Sequence, residues 1–276
     1  GSWEFTNIVN VSFLFNGCVN LETVGFGPIP PFPKVKYMGG FFKGCKKLKK
    51  VNLSVFSFES VVDMSDFFSQ CESLETVELP TEAKIPNLLT MGSMFEGCIA
   101  LKSIKWPFKG AKKLEILTNL FAGCKALTGI DLGNFECPQC KMLGGMFKGC
   151  ESITKIDLSA LKPLGVLSIE SLFEGCTNLQ IASLAGFVLA AGCNVKNAFN
   201  NCKGLTKIDL SGVTIPSSIN LNQMFKGEDL TGVTIDLSNA NVSENFEKFV
   251  EDNGGNITVS SNSIEKSGEP GNGTSR

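Results

Sequence analysis

The chain contains no histidine. That removes the side chain most used as a general base near neutral pH and the commonest metal ligand, which disfavours many enzyme classes. Tyrosine occurs once and tryptophan twice, against 22 phenylalanines, so the aromatics serve core filling rather than polar-tipped recognition. A surplus of one charge is also lacking. The 25 basic and 27 acidic residues are interspersed and leave a net charge of −2, with no broad field to attract nucleic acid or an anionic membrane. No apolar run approaches the roughly 20 residues that cross a bilayer, and no basic-then-apolar leader opens the sequence. Gly1-Ser2 reads as a cloning remnant, so the missing leader says little about export. What the sequence does have is 276 residues, 43% of them hydrophobic, enough for a packed core in one large domain or two ordinary ones.

The phenylalanines are ordered. Phe15, Phe42, Phe68, Phe95, Phe121, Phe147, Phe173, Phe199 and Phe225 recur every 26 or 27 residues. Three residues after each of the first eight stands a cysteine: Cys18, Cys45, Cys71, Cys98, Cys124, Cys150, Cys176 and Cys202, with Glu228 in the ninth place. Self-similarity at this period marks a solenoid, whose units bury their apolar faces against one another rather than in a distant core.

Each unit has a readable grammar. Apolar residues at i, i+3 and i+4 precede the cysteine, as in Leu143-Met146-Phe147 and Leu117-Leu120-Phe121, and this spacing predicts a short helix. Before the cysteine the chain places Gly17, Gly44, Gly97, Gly123, Gly149, Gly175 or Asn201, residue types that tolerate the left-handed conformation ending a helix; Gln70 departs from that pattern. After the cysteine comes alternation, as in Leu127-x-x-Ile130-x-Leu132, which predicts a strand. One strand per unit with a crossover between successive strands predicts a parallel sheet wound right-handed.

Units such as MFKGCESITKIDLSAL (146–161), LFAGCKALTGIDLGNF (120–135) and AFNNCKGLTKIDLSGV (198–213) resemble the leucine-rich repeat, in the variant of the BspA-like surface proteins of bacteria and protists. The resemblance covers about residues 5 to 260. It implies an α/β solenoid, a right-handed horseshoe with one short parallel strand and one short helix per repeat. It also implies a non-enzymatic role, in adhesion to host matrix proteins, host cells or other microbes. A fold of this kind supplies only a surface, so the ligand stays open.

The expected organisation is a capped solenoid over residues 1–260 and a disordered tail or linker over 261–276, where Ser, Asn, Gly, Glu and Pro dominate. Trp3, Phe5, Ile8, Val9 and Val11 suit an amino-terminal cap. At the other end Ser243 is placed to cap an amphipathic helix carrying Phe246, Phe249 and Val250, followed by a last strand at Ile257-Thr258-Val259. The proline-rich stretch from Gly25 to Tyr37 reads either as a rigid connector packed on the convex side or as a ligand-contacting loop.

The cysteine ladder reads as reduced thiols packed inside the turn, because a linear row does not converge as zinc requires. Cys137 and Cys140 lie outside the ladder, and their spacing is open to unremarkable thiols, a local disulfide or redox or metal work. No phosphate loop or nucleophile elbow appears. No catalytic residue, cofactor or metal is therefore expected.

The candidate binding residues are strand positions facing away from the core on the concave side: Lys50, Asn52, Glu78, Lys105, Asp131, Lys155, Asp157, Lys207 and Asp209. Their alternating signs allow two readings. One is a self-neutralising solvated face in which Lys50 pairs with Glu78 and Glu78 with Lys105. The other is a recognition strip for a protein partner, such as a host matrix or cell-surface protein, with no nucleic acid and no membrane insertion. A cell-surface or secreted location is expected, with a cytoplasmic scaffold as the alternative; oligomeric state is not legible.

Overall fold

A computed structural model describes residues 7–27 and 32–258. The chain coils along one direction, one turn per sequence repeat, and each coil is named here for its Phe. Its elements in order are β1 (Thr23–Val24), β2 (Lys50–Asn52), β3 (Thr76–Glu78), β4 (Ala83–Lys84), β5 (Phe108–Lys109), β6 (Lys155–Asp157), β7 (Leu164–Ser168), β8 (Ile181–Ser183), β9 (Val188–Asn194), β10 (Lys207–Asp209), α1 (Leu221–Met224), β11 (Thr234–Asp236), α2 (Glu244–Asp252) and β12 (Asn256–Thr258). All strand pairing among the described residues is parallel, in a three-stranded sheet β1-β2-β3, a five-stranded sheet β6-β8-β10-β11-β12 and two two-stranded sheets, β4-β5 and β7-β9. A second ladder of single bridges runs along another side of the coils through Asn10, Tyr37, Asp63, Thr90, Ile116, Met142 and Ser168.

The expected helix in every repeat is absent. Among the described residues only α1 and α2 are α-helical. In the Phe147 coil the N–H groups of Gly145, Phe147 and Gly149 instead donate to the Glu170, Leu172 and Glu174 carbonyls of the next coil, at 2.7, 3.0 and 2.7 Å. The intervening N–H groups of Met146, Lys148 and Cys150 bond three residues back, to Leu143, Gly145 and Phe147. The result is a run of tight turns rather than a helix. Two left-handed residues four apart enforce it, here Gly145 at φ 65° and Gly149 at φ 70°, since a positive φ breaks the i to i−4 ladder. A Cβ at Gly145 would stand 2.1 Å from Asn119 Oδ1, so a larger residue there would have to displace that side chain.

The phenylalanines stack as the period requires. Ring centroids are 5.3 Å apart for Phe15–Phe42, 5.5 Å for Phe42–Phe68, 5.4 Å for Phe68–Phe95 and 5.4 Å for Phe95–Phe121. The column continues through Phe147, Phe173 and Phe199 to Phe225, and Phe249 of α2 closes it at 5.9 Å. Each burial removes apolar surface from water only because a neighbouring coil covers it, so stability belongs to the array.

The carboxy-terminal helix forms where expected, with Phe246 and Val250 buried, although the Ser243 side chain makes no capping bond. Of the proposed amino-terminal cap, Trp3 and Phe5 lie outside the described residues, while Val11 is buried and Ile8 packs on the core. In the proline-rich connector Phe32 and Val35 are buried, as the packing reading requires, and 28–31 lie outside the described residues. The predicted tail, 261–276, also lies outside them.

Candidate functional site

The strand face is built by alternation. In β2, β6 and β10 the central Val51, Ile156 and Ile208 point into the core, while Lys50 and Asn52, Lys155 and Asp157, and Lys207 and Asp209 flank them on the outer side. Glu78 ends β3, exposed. Lys105 and Asp131 are exposed at the equivalent places in their coils, but those coils form no strand there.

The polar residues of this face divide into two kinds. Asn52, Asp131, Asp157 and Asp209 each accept a hydrogen bond from the backbone N–H two residues on, at Ser54, Gly133, Ser159 and Ser211, at 2.8–3.0 Å. They terminate the strand segment by holding the chain in a tight bend. Asp236 repeats the device in β11, and its bonds from Ser238 hold its carboxyl below the usual carboxylate range. Lys50, Glu78, Lys105 and Lys155 are the other kind. The expected pairs Lys50–Glu78 and Glu78–Lys105 do not form, and none of these four side chains has an ion-pair partner among the described residues. The ion pairs nearest this face are instead Lys49–Glu22 at 3.8 Å and Lys207–Asp236 at 3.7 Å.

The thiol ladder is structural in a way the sequence did not disclose. Each thiol from Cys45 to Cys202 donates to the carbonyl of the Phe in the preceding coil, at 3.0–3.2 Å, as Cys124 does to Phe95. Burial pushes these thiols up, to about 11 for Cys45 and about 12 for Cys71 and Cys176. Cys137 and Cys140 are buried and free, and burial, together with a hydrogen bond from the Cys140 thiol to Cys137, raises Cys140 far above the ordinary thiol range. A thiolate is therefore strongly disfavoured at Cys140. No group of three or more potential ligands suited to a metal occurs among the described residues.

Two features were missed. Along the bridge ladder Ile116 and Met142 are exposed in adjacent register, with Leu89 and Leu167 beside them, and Tyr37 is exposed further along the same ladder. The other is an interruption of the strand face. Where other coils read Asn52-Leu53-Ser54, Asp157-Leu158-Ser159 or Asp209-Leu210-Ser211, the Phe68 coil reads Glu78-Leu79-Pro80 and the Phe95 coil Lys105-Trp106-Pro107. A proline has no N–H, so the strand-ending turn bond cannot form. The next coil places Gly129 in the strand position, which further weakens pairing. The sheet stops at β3 and resumes at β6. At the gap lies a recess of about 420 Å³, walled by Val77, Leu79, Pro80, Trp106 and Pro107, with Glu78 and Lys105 alongside. Prolines at the same repeat position in successive coils were the available signal.

The sequence model of a family described as "Mycoplasma protein of unknown function, DUF285" matches residues 1–106, 30–128, 90–211 and 145–253, overlapping stretches that follow the repeat. No curated protein matches the chain. Among solved structures it is similar to a leucine-rich repeat protein from Bacteroides ovatus, at 17% identity and a TM-score of 0.30, covering 91% of this chain and 87% of that one. It is also similar to a leucine rich cell surface protein from Faecalibacterium prausnitzii, at 18% identity and a TM-score of 0.24, covering 73% and 76%. A leucine-rich repeat protein from Leptospira interrogans stands at 14% identity and 0.25, covering 91% and 75%. Superpositions this loose bear no weight for function; the solenoid rests on the chain's own hydrogen bonds and stacked rings.

Proposed function

The chain belongs to the DUF285 family, whose description assigns no activity, and from that premise we propose a non-enzymatic protein-binding module acting through its strand face. The observation that carries this reading is the set Lys50, Glu78, Lys105 and Lys155. These charged side chains are exposed and have no ion-pair partner among the described residues, and they project from two repeat positions on a stiff backbone, so engaging them costs little ordering of the main chain. Adhesion at the cell surface or outside the cell is the biological setting proposed, with a host matrix or cell-surface protein as partner.

Replacing Lys50, Glu78, Lys105 and Lys155 together with Ala tests this against a panel of immobilised matrix proteins and glycans. Loss of binding with an unchanged melting temperature is expected; retained affinity removes the face from consideration. Asp131 and Asp157 are left out because their turn bonds make them structural.

One observation favours a second reading, an intracellular scaffold. All eleven cysteines are free, and the buried thiols serve as hydrogen-bond donors, a state natural to a reducing compartment. Thiol counting on natively purified protein separates the two: oxidised Cys137 and Cys140 would speak against the scaffold.

A further inference from the structure

The recess beside Trp106 is the one place where the repeat grammar is broken twice in succession, and the breaks converge on an apolar hollow. Its volume, about 420 Å³, falls within the range of small-molecule and side-chain pockets. Val77, Leu79 and the two prolines supply an apolar lining. The two charged side chains beside it, Glu78 and Lys105, are of opposite sign and unpaired, which suits a neutral dipolar ligand better than a polyanion or polycation. Trp106 packs edge-on against Phe108 and Phe135 at 4.9 and 5.3 Å, while its Nε1–H is buried with no acceptor. A buried donor left unpaired is a defect that a carbonyl reaching it would repair.

We propose that this recess binds an extended peptide segment of a partner, seating one proline or aliphatic side chain against Val77, Leu79 and Pro107, with a peptide carbonyl meeting the Trp106 indole N–H. The opposed charges of Glu78 and Lys105 flank the backbone of that segment. This assignment rests on the strand face being a binding surface and locates its anchor.

The probe is the blocked dipeptide N-acetyl-prolyl-leucine amide, followed by the indole N–H signals of 15N-labelled protein; Trp106→Phe identifies the signal by removing it. A saturable downfield shift of the Trp106 signal is expected, with N-acetyl-glycyl-glycine amide weaker by about tenfold or more. Thr81 and Ser54 line the opening and are exposed, so Thr81→Trp and Ser54→Trp close it from the surface. Each, once shown to melt like the parent, is expected to weaken the dipeptide by about tenfold or more. No saturable shift, an equal response to the glycyl peptide, undiminished binding in both closed variants, or saturation by N-acetylglucosamine in place of the peptide overturns the assignment. Lys50 and Lys155 lie outside the recess, so partner binding lost in Lys50→Ala/Lys155→Ala but kept in Thr81→Trp defeats the recess and spares the face. A dipeptide shift with partner binding indifferent to Lys50 and Lys155 does the reverse.

Discussion

From β6 to β12 five strands lie side by side without a gap, whereas between Glu78 and Lys155 the same side of the solenoid has no paired strand. The spacing of the phenylalanine column does not register the difference. Phe95 and Phe121, inside the gap, are 5.4 Å apart and 5° from parallel; Phe173 and Phe199, behind the continuous sheet, are 5.4 Å apart and 37° from parallel. The backbone ladder of the turns also continues across the gap, with Phe95 N–H to Leu120 at 2.9 Å and Gly97 N–H to Ala122 at 2.7 Å. Cohesion between coils therefore resides in the turn segment, in its rings, thiols and N–H donors. The strand side is permitted to vary, which is where a surface can be specialised without loss of the fold.

The sharpest way to break that comparison is Phe121→Ala, in the middle of the gap. The strand face has no pairing there to compensate, and the ring is fully buried between Phe95 and Phe147. A loss of about 3–5 kcal/mol is expected, read from urea denaturation. In a quasi-one-dimensional array it should also uncouple the coils on either side, turning one transition into two. A loss of under about 1 kcal/mol, the range of an ordinary surface change, would show that the turn segment is not what binds the coils.

How much of this could be read beforehand follows from the same division. The ring column and the packed thiols were legible because both are periodic and apolar. The turns were not, because Leu143-Met146-Phe147 has helical spacing whether the chain winds as a helix or as successive turns. The deciding signal was a second left-handed position four residues before the first, filled by Gly40 and Gly145 but also by Phe13, Asp66, Ser93, Asn119, Ser171 and Asn197. Besides the two glycines only the Asn and Asp residues are recognisable formers of that conformation. On the strand face the alternating signs pointed to cross-coil pairs. The short Asp and Asn side chains turned instead to an N–H two residues away, a contact that orders fewer torsions than a long Lys–Glu pair. Oppositely, Pro80 and Pro107 were visible all along, and their meaning emerges only once Ser54 and Ser159 are seen donating the bond a proline cannot.

A smaller effect tests that last point. Asp157→Ala removes the acceptor for the Ser159 N–H at 2.9 Å and should cost about 1 kcal/mol. Glu78→Ala, one strand-end residue exchanged in a coil where no such bond exists, should leave stability within about 0.5 kcal/mol of the parent. Equal losses in the two variants would mean that the proline-bearing coils retain a turn bond of some other kind and that the two halves of the strand side are alike after all.

The smallest effect is at the carboxy-terminal end, where the turn ladder has to stop. The N–H groups of each coil point toward the next, so the last regular coil, that of Phe199, needs acceptors. The Glu228 carboxylate, standing where the earlier coils have cysteine, takes the N–H groups of Asn201 and Cys202. Partial burial raises the Glu228 carboxyl above its ordinary value, outweighing the two backbone bonds that lower it. A carboxyl with a raised folded-state pKa holds its proton more tightly when folded. Its contribution is therefore full below the unfolded pKa and is lost as pH rises through the folded one. Glu228→Gln keeps an acceptor oxygen for both donors and removes the titration. Between about pH 4 and 7 the parent should lose stability relative to Glu228→Gln, measured as the difference in urea midpoint at each pH. A difference that stays flat, or that grows in favour of the parent, would mean the carboxylate is held by those two N–H groups more firmly than burial penalises it, and that the solenoid's last regular coil is closed by charge rather than in spite of it.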